Sequence, residues 1–570
     1  MSGGKNFPEI LGKKISRRAA VGTAAKVAGA AVAGLVIGGL AGYFAGTAAA
    51  PVERTVTTTI RETVPTTVRE TVKETVTAAA ATVTVPTTVR ETVTVTATAP
   101  GVTAPGLAEL RRELAQRYKT AKPGDKFLVT YITAFLYEEP SKYDWQGTNQ
   151  AADQLGLDSK AIEAGTEVLK WIEAAESAIA AGSKGLVTWC SPPSAIIEIV
   201  KTCNEEKVFV ATSYNRDPEF RPGPGGTKKD AGPYFLMEFS NMGDEMSFMC
   251  ITPLFEKMRK YKRTKVLHIQ ASKKVAIDST ALINQGIAIA WQRYPDIQLL
   301  GHYWGEWVFD VGRQAADQAL AVRTDYEGMW CHNDDIAMGA VTAFKARGID
   351  IGPFTSARDA IVAYVERVVA GELFITCLTE FQYFGGKRTV SIYDAATGAS
   401  YPLKDEVIQA PWTTVVFNTK DPKLREENLD LIKRSGLWWH PNFIWVDAED
   451  LLKFLKTAEK YPSEKYPYDF RTLSVGKSQE LGLTFDRHAK CYITANDYYY
   501  VPLMKRFRVS DDRTKGENLE EFFRQFALTM EYFLDLNWDT YEQNMAKLKE
   551  ADARGLKLEP VWGTAEAIHD

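Results

Sequence analysis

The chain has 570 residues and a formal net charge of -4, with 45% hydrophobic and 11% aromatic residues. It is too long for one ordinary domain, and its charge offers no basic surface of the kind that nucleic-acid-binding proteins carry. Residues 1–117 contain only three aromatic side chains, Phe7, Tyr43 and Phe44. This contrast excludes a uniform globular protein and a polytopic membrane protein. An aromatic-poor head precedes an aromatic-rich body.

Residues 1–50 predict an export signal or a membrane anchor. A basic stretch, residues 13–18, precedes an uncharged run from Ala28 to Thr47, and about 20 helical residues are enough to span a bilayer. Basic residues on this side predict that the N terminus stays inside and the body lies outside. Ser16-Arg17-Arg18 resembles a twin-arginine export signal. Because Ala48-Ala49-Ala50 resembles a cleavage site, a removed signal and a retained anchor both remain open.

Residues 51–106 predict a stalk. They are rich in Thr, Val and Ala, and the sequence Pro-Thr-Thr-Val-Arg-Glu-Thr-Val occurs at residues 65–72 and again at 86–93. β-branched residues and prolines disfavour a long helix, and Thr-rich segments with Pro are typical of glycosylated stalks. An extended stalk that holds the body off a membrane is the main prediction. A disordered linker and a helical oligomerising stalk are the alternatives.

The body, from about residue 107, alternates short apolar runs with helical segments. The predicted strands include residues 126–131, 185–189, 208–212, 265–269 and 297–300. Such alternation predicts an α/β fold, in which right-handed crossovers build parallel sheets covered on both faces. Ligands of these folds bind beyond the carboxyl ends of the strands.

Two parts of the body, Ala180–Arg216 and Gly328–Gly386, resemble the ribose/galactose-type sugar-binding proteins of bacterial and archaeal ABC transporters. His332–Ala340 is similar to the family's Asn-Asp motif, and Gly371–Thr376 to a later Gly-x-Leu segment. The resemblance covers about residues 125–430. It implies a type I periplasmic binding protein, with two Rossmann-like lobes joined by a crossover hinge. Together with the head, it implies an archaeal, membrane-tethered member.

The resemblance also implies a division of the body. Residues 107–232 form lobe 1, which about residues 375–410 complete, and residues 233–374 form lobe 2. Residues 411–435 are a return segment. Residues 436–570 remain as an aromatic-rich, α-rich C-terminal extension. This extension could be a lid, a dimer surface or a contact to a transporter or cell-surface partner.

Two departures from the family pattern concern the ligand site. The family often has an Arg before a Gly-aromatic pair in the second lobe, but Ala281–Gly286 contains none. The family also has an Asp after a Gly-aromatic pair, which Gly352–Phe354 lacks. Two frequent polar ligand contacts are therefore missing or relocated.

A sugar site needs planar hydrogen-bonding groups for hydroxyls and aromatic rings for C–H faces. Asn333 is the first candidate because its amide donates and accepts at once. The alternative is an Asx turn that starts the next helix, with Asp334 or Asp335 as the N-cap. Asn215 and Arg216 follow a predicted strand and are candidates for hydroxyl binding. The remaining candidates, for which ordinary packing is the alternative, are Tyr143, Trp145, Trp189, Trp304, Trp307 and Glu380.

No catalytic, cofactor or metal motif is present. The six His and six Cys residues are scattered, without a Cys-x-x-Cys, a His-Glu-x-x-His, a phosphate loop or a nucleophile elbow. We therefore expect no enzyme, no catalytic residues, no cofactor and no metal. Buried thiols are the default for the cysteines.

The sequence favours a receptor at the cell surface, tethered or secreted. Its expected partners are a small-molecule ligand, an ABC transporter permease and the membrane, the last through the N-terminal segment. One alternative is a structural or signalling protein that uses a retired binding fold, and a collapsed cleft would indicate it. Another is an extracellular carbohydrate-active enzyme, which requires two facing carboxylates in the cleft.

Overall fold

The computed structural model describes most of the body and two pieces of the predicted stalk, namely residues 53–60, 68–75, 107–214, 231–239, 243–402, 413–437, 443–485, 519–556 and 558. The predicted signal or anchor in residues 1–50 lies outside the described residues. Strands β1 (Glu53–Ile60) and β2 (Val68–Thr75) pair with each other in antiparallel register. In the described ranges, no helix is both long enough and apolar enough to cross a membrane. Residues 1–100 and 101–570 are two separate compact units.

The first lobe is a parallel sheet between helices. Its elements are α1 (Leu107–Tyr118), β3 (Leu128–Thr133), α2 (Glu139–Leu155), β4 (Asp158–Glu163), α3 (Val168–Ala180), β5 (Ser183–Trp189), α4 (Pro193–Glu206), β6 (Phe209–Ser213) and β7 (Phe235–Glu238). The five strands lie in the order β4-β3-β5-β6-β7, all parallel. The first sheet therefore continues to Glu238, past the predicted lobe boundary at residue 232. The buried strands confirm the predicted α/β architecture.

The second lobe repeats this plan. Its elements are α5 (Gly243–Lys260), β8 (Lys265–Gln270), α6 (Ile277–Trp291), β9 (Gln298–Trp304), α7 (Phe309–Val322), β10 (Gly328–Cys331), α8 (Asp334–Ala346), β11 (Thr355–Ser356) and α9 (Val362–Val369). The four strands lie in the order β11-β10-β8-β9 and are parallel. The loops that follow the carboxyl ends of the strands in the two sheets therefore lie near each other.

The following elements join the two lobes. They are β12 (Thr376–Leu378), α10 (Phe381–Thr397), β13 (Thr413–Phe417), α11 (Pro422–Arg434), β14 (Phe443–Asp447) and α12 (Ala448–Ala458). Bridges from Ser356 to Ile375 and from Asp359 to Leu378 connect the edge of the second sheet with β12. Strand β13 pairs antiparallel with β12 and parallel with β14. Residues 413–447 therefore extend the second lobe.

Helix α10 returns the chain to the first lobe and lies directly against α2. A Cβ on Gly147 would stand 1.9 Å from the backbone oxygen of Gln382, and one on Gly385 would stand 2.0 Å from that of Asp144. Glycine is thus required at both positions for this close approach. Arg388 on α10 is fully buried, pairs with the carboxylate of Asp144 and donates to the Thr188 carbonyl. The contact closes the first lobe with a segment that follows the second lobe in sequence.

The described part of the predicted extension contacts both lobes. Beyond β14 and α12, the backbone of Tyr468 and Phe470 exchanges hydrogen bonds with the Gln154 side chain on α2. At the start of helix α13 (Val475–Leu481), the Ser474 hydroxyl and the amides of Val475 and Gly476 donate hydrogen bonds to the Asp394 carboxylate on α10. Helices α14 (Leu519–Phe533) and α15 (Tyr541–Ala553) then pack on α6 of the second lobe. Whether this segment also contacts a partner remains a prediction.

A chain of three histidines connects the strands of the second lobe with the extension. His268 Nε2 lies 3.0 Å from His332 Nε2, and His268 Nδ1 lies 3.1 Å from His302 Nδ1. His302 Nε2 lies 3.1 Å from the Trp538 carbonyl oxygen. Since that carbonyl can only accept, His302 must carry its hydrogen on Nε2. The direction of donation follows, from His332 through His268 and His302 to Trp538.

Replacing Asp144 by Ala should lower the free energy of unfolding by about 3–5 kcal/mol, because it leaves the Arg388 guanidinium buried without a counter-charge. Denaturant unfolding followed by circular dichroism measures the change. The control is Glu449→Ala, whose ion pair with Lys453 is exposed and therefore contributes little to stability. A double variant, Asp144→Leu with Arg388→Met, should recover part of the loss. Equal effects of Asp144→Ala and the control would contradict the assignment.

The histidine chain should make the stability of the second lobe depend on pH. Burial lowers the pKa of His268, His302 and His332 below their ordinary value. Their contribution is therefore present above about pH 6.5 and is lost as the pH falls, because the unfolded chain binds the protons more tightly. The variant His302→Gln keeps an acceptor and a donor without titrating. The stability advantage of the wild type over this variant, measured by denaturant unfolding, should shrink between about pH 8 and about pH 5. A constant difference would contradict this.

Candidate functional site

A cavity of about 490 Å³, its open mouth included, lies between the two lobes. The first lobe contributes Phe135, Glu138, Ser141, Trp189, Tyr214 and Phe381. The second lobe contributes Val275, Ser279, Trp307, Asn333, Arg358 and Asp359. Most of these residues lie at the end of a strand or within three residues after it, as expected of a ligand site at the carboxyl ends of parallel sheets.

The backbone at these strand ends is unusual. Cys190, Tyr214, Trp307 and Asp359 line the cavity with positive φ values of 55°, 57°, 67° and 116°. Side chains other than glycine rarely adopt such angles, and the strain that they store is typical of functional sites. The turns at the ends of β5, β6, β9 and β11 are thus held in a costly conformation that sets the direction of the cavity residues.

Asn333 lies in the cavity wall and is 3% exposed. Its Oδ1 accepts from the Ile336 amide at 3.0 Å, so Asn333 itself is the N-cap of α8. The expectation that Asp334 or Asp335 supplies this cap is wrong. The Asp334 carboxylate instead accepts hydrogen bonds from Thr376 Oγ1 and the Ile361 amide. The amide of Asn333 also donates to the Trp307 carbonyl at 3.1 Å, which leaves its second hydrogen for a ligand.

Arg358 and Asp359 place an ion pair in the cavity wall. Arg358 Nε lies 3.4 Å from Asp359 Oδ1, and both side chains are buried. The guanidinium also approaches Ser279 Oγ at 3.4 Å, and Thr379 Oγ1 donates to Asp359 Oδ1 at 3.3 Å. Burial raises the pKa of Asp359 to about 6, although the positive charge of Arg358 opposes the rise. Arg358 and Asp359, which follow β11, thus place an Arg and an Asp in the cavity wall, although the family's usual positions lack them in this chain.

Aromatic rings form much of the first-lobe wall. Trp189 meets Tyr214 edge-on at 4.8 Å between ring centroids, and Phe381 at 5.1 Å. From the second lobe, Trp307 is anchored by its indole N–H, which donates to the Val275 carbonyl at 3.2 Å. Such rings offer apolar faces to a ligand, while polar groups of the same cavity fix its orientation.

The sequence candidates thus separate into two groups. Asn333, Trp189 and Trp307 line the cavity, and their contact with a ligand stays a prediction. Asn215 and Arg216 lie outside the described residues.

Four other candidates do not reach this cavity. The Tyr143 hydroxyl donates to Glu459 at 2.9 Å, because Tyr143 lies about half a turn around α2 from cavity-lining Ser141. Trp145, which lies about one turn after Ser141 on α2, packs on Tyr131. Trp304 precedes the turn that brings Trp307 inward, and Lys273 Nζ lies over its ring at 4.5 Å. Glu380 lines a smaller cavity of about 300 Å³ together with Tyr143.

Sequence reasoning missed Arg358, Asp359, Ser141 and Glu138. The pair Arg358-Asp359 follows a strand of only two residues, Thr355–Ser356, which is too short to give a periodic pattern. Glu138 and Ser141 lie at the start of α2, where the sequence candidates were the aromatic residues Tyr143 and Trp145. No motif marks these residues, but their position shortly after a predicted strand could have identified them as candidates for the ligand site.

Residues 137–400 match the family model described as a periplasmic binding protein domain. The match confirms the resemblance that the sequence predicts, and the matched residues include most of those that line the cavity. Proteins of this family are extracytoplasmic. No curated protein matches the chain significantly.

Several solved structures resemble the chain in fold. A twin-arginine translocation pathway signal protein from Burkholderia phytofirmans has 18% identity and a TM-score of 0.47, over 55% of this chain and 94% of the other. The periplasmic binding protein of the arabinose ABC transporter from Shewanella sp. ANA-3 has 20% identity and a TM-score of 0.43, over 54% and 97%. A periplasmic sugar-binding protein from Pseudomonas fluorescens has 15% identity and a TM-score of 0.44, over 63% and 96%. Because these scores are low, the assignment depends on the family match.

Removing the cap at Asn333 should destabilise the second lobe. Asn333→Ala should lower the free energy of unfolding by about 1 kcal/mol, because the Ile336 amide loses its acceptor. Asn333→Ser keeps a capping oxygen but also loses the amide that donates to Trp307, so it is the matched control. Denaturant unfolding should place the Ser variant between the wild type and the Ala variant. A Ser variant as unstable as the Ala variant would contradict the capping role.

Proposed function

We propose that the chain is an extracytoplasmic solute-binding receptor of an ABC importer that binds a sugar or a similar small polar ligand between its lobes. The observation that carries this proposal is the cavity of about 490 Å³, lined by strand ends of both sheets within the matched domain. A ligand at this position contacts both lobes at once. Its binding energy is therefore available to stabilise a closed arrangement.

The chemistry of the cavity suits a polyhydroxylated ligand. Arg358 presents a planar set of donors, Asp359 presents acceptors, and Asn333 has an amide hydrogen to spare. Trp189 and Trp307, on opposite walls, supply ring surface for the C–H faces of a sugar. Hydroxyl groups would compensate the buried polar side chains, which otherwise carry a desolvation cost.

The proposed mechanism has no covalent step. The ligand shifts an equilibrium between open and closed lobes, and a permease recognises the closed form. The proposal includes a tether, in which residues 1–50 hold the protein at the membrane and the Thr/Val-rich stalk carries the body away from it. The basic stretch before an uncharged run supports the membrane tether.

The two alternatives are less well supported. A retired binding fold would have its cleft residues packed against each other, whereas the cavity here is retained. A carbohydrate-active enzyme needs two carboxyl groups about 5–9.5 Å apart, with the sugar between them. Glu138 and Asp335 do face each other across the cleft, but they are close enough to share a hydrogen bond. This spacing leaves no room for a glycosidic bond.

The proposal predicts stabilisation of the full chain by its sugar ligand. We expect the melting temperature to rise with at least one of ribose, arabinose, galactose, glucose and xylose, since a ligand at about 100 times its Kd adds about 2.7 kcal/mol. Trp307→Ala should weaken binding of that sugar about tenfold or more. Trp304→Ala, a nearby tryptophan outside the cavity, is the matched control and should leave the affinity unchanged.

Differential scanning fluorimetry and titration calorimetry measure these effects. Stabilisation by amino acids or nucleosides, and by none of the sugars, would show that the ligand class is wrong. Stabilisation by no small molecule of any class would favour the retired fold.

A further inference from the structure

Two carboxyl groups from opposite lobes meet at the edge of the cavity. Glu138 lies at the N-cap position of α2 in the first lobe and lines the cavity. Asp335 is the second residue of α8 in the second lobe, two positions after cavity-lining Asn333. Their side chains are within hydrogen-bond reach of each other. Ionised carboxylates only accept hydrogen bonds, so this contact needs a shared proton or a cation between the two groups.

The surroundings of the pair are acidic. Glu139 on α2, Asp310 on α7 and Asp359 after β11 all face it. Burial and these neighbours raise the pKa of Glu138 to about 7, and they raise the pKa of Asp335 well above its ordinary value.

Basic groups near the pair are already engaged. Lys142 faces Glu139 rather than the pair, and Arg313 lies 3.9 Å from Asp310. Arg358 is held by Asp359 and Ser279. Among the described residues, no lysine or arginine pairs with Glu138 or Asp335.

An independent observation concerns Asp335 itself. The residue is only 9% exposed, and its Oδ2 has no hydrogen-bond partner within the described part of the chain. A buried acceptor without a donor costs about 1–3 kcal/mol, and more when it is charged. A buried polar atom of this kind at the edge of a ligand cavity indicates that a donor arrives with the ligand.

We propose that the ligand carries an ammonium group, as an amino sugar does, and that this group binds between Glu138 and Asp335. The inference rests on the proposed function and specifies its ligand class. An ammonium has three donors, enough for both carboxylates, and each bond is charge-assisted and stronger than a neutral one. Phe135 and Trp307 line the same cavity, and their ring faces attract cations.

The same group would hold the lobes together. In the ligand-free protein without a shared proton, two like charges on opposite lobes repel each other and favour opening. The bound ammonium replaces this repulsion by attraction to both lobes. Closure then depends on the charge of the ligand as well as on its shape.

Protons compete with the ammonium for the same carboxylates. Affinity for an amino sugar should therefore fall as the pH decreases below about 7, where Glu138, whose pKa is about 7, becomes protonated. A neutral sugar, which does not use the charges of the pair, should show no such loss. This dependence separates the proposed role from a merely structural one.

The test compares D-glucosamine, D-galactosamine and D-mannosamine with their neutral parent sugars and their N-acetyl derivatives. Titration calorimetry uses the full chain at about pH 7.5 and about pH 5.5. We expect at least one amino sugar to bind about tenfold or more tightly than both neutral partners at the higher pH, and to lose this advantage at the lower pH. Glu138→Gln and Asp335→Asn should each abolish the preference. Glu173→Gln, on the exposed side of α3, should keep it.

Each other outcome contradicts the inference. If a neutral sugar binds as tightly as its amino counterpart, the inference fails while the proposed receptor function stands. If no sugar of either kind binds, both fail. An amino-sugar preference that survives in both variants, or that does not change with pH, shows that the pair does not recognise the ligand. Melting temperatures of the variants report whether each is folded.

Discussion

The buried contact between Asp144 and Arg388 is the constraint on which the two-lobed arrangement depends. After building the second sheet, the chain returns to the first lobe as α10, and the close approach at Gly147 and Gly385 allows α10 to lie against α2. This return fixes the residues just before α10, including the crossover at Thr379 and Glu380. It also places Phe381 in the cavity. The desolvation of the buried guanidinium and carboxylate is compensated by their ion pair and hydrogen bonds with each other.

The cavity shows the opposite situation. Its polar groups are buried but only partly compensated, as the 3.4 Å contacts of Arg358 indicate. At its edge, Asp335 Oδ2 has no hydrogen-bond partner among the described residues. The backbone at several strand ends is held at positive φ. These features of the cleft destabilise the folded state, whereas the α2–α10 contact and the two sheets stabilise it. Such a distribution is typical of a protein that completes its interactions with a ligand.

The extension is integrated with this plan. Its β14 continues a sheet, the segment around Tyr468 and Phe470 binds the first lobe, and the last two helices pack on α6 of the second lobe. The histidine chain carries hydrogen bonds from His332, beside the cavity residue Asn333, to Trp538 in the extension. The sequence predicted an α-rich extension, but it could not show which surfaces of the lobes the helices cover. That information lies in contacts between residues far apart in the chain.

The sequence by itself determined the α/β class, the positions of most strands in the body, the family resemblance and the location of Asn333, Trp189 and Trp307 at strand ends. These features depend on local patterns, since a buried parallel strand is a short apolar run and the residues after it face the ligand side. Only the tertiary structure decided that Asn333 is the cap of α8 and that Tyr143 and Trp145 belong to the packing of α2. It also placed Arg358 and Asp359 in the cavity wall. It alone brought Glu138 and Asp335 together. Each of these depends on how one lobe lies against the other, and a distance across a cleft leaves no periodic signal in the chain.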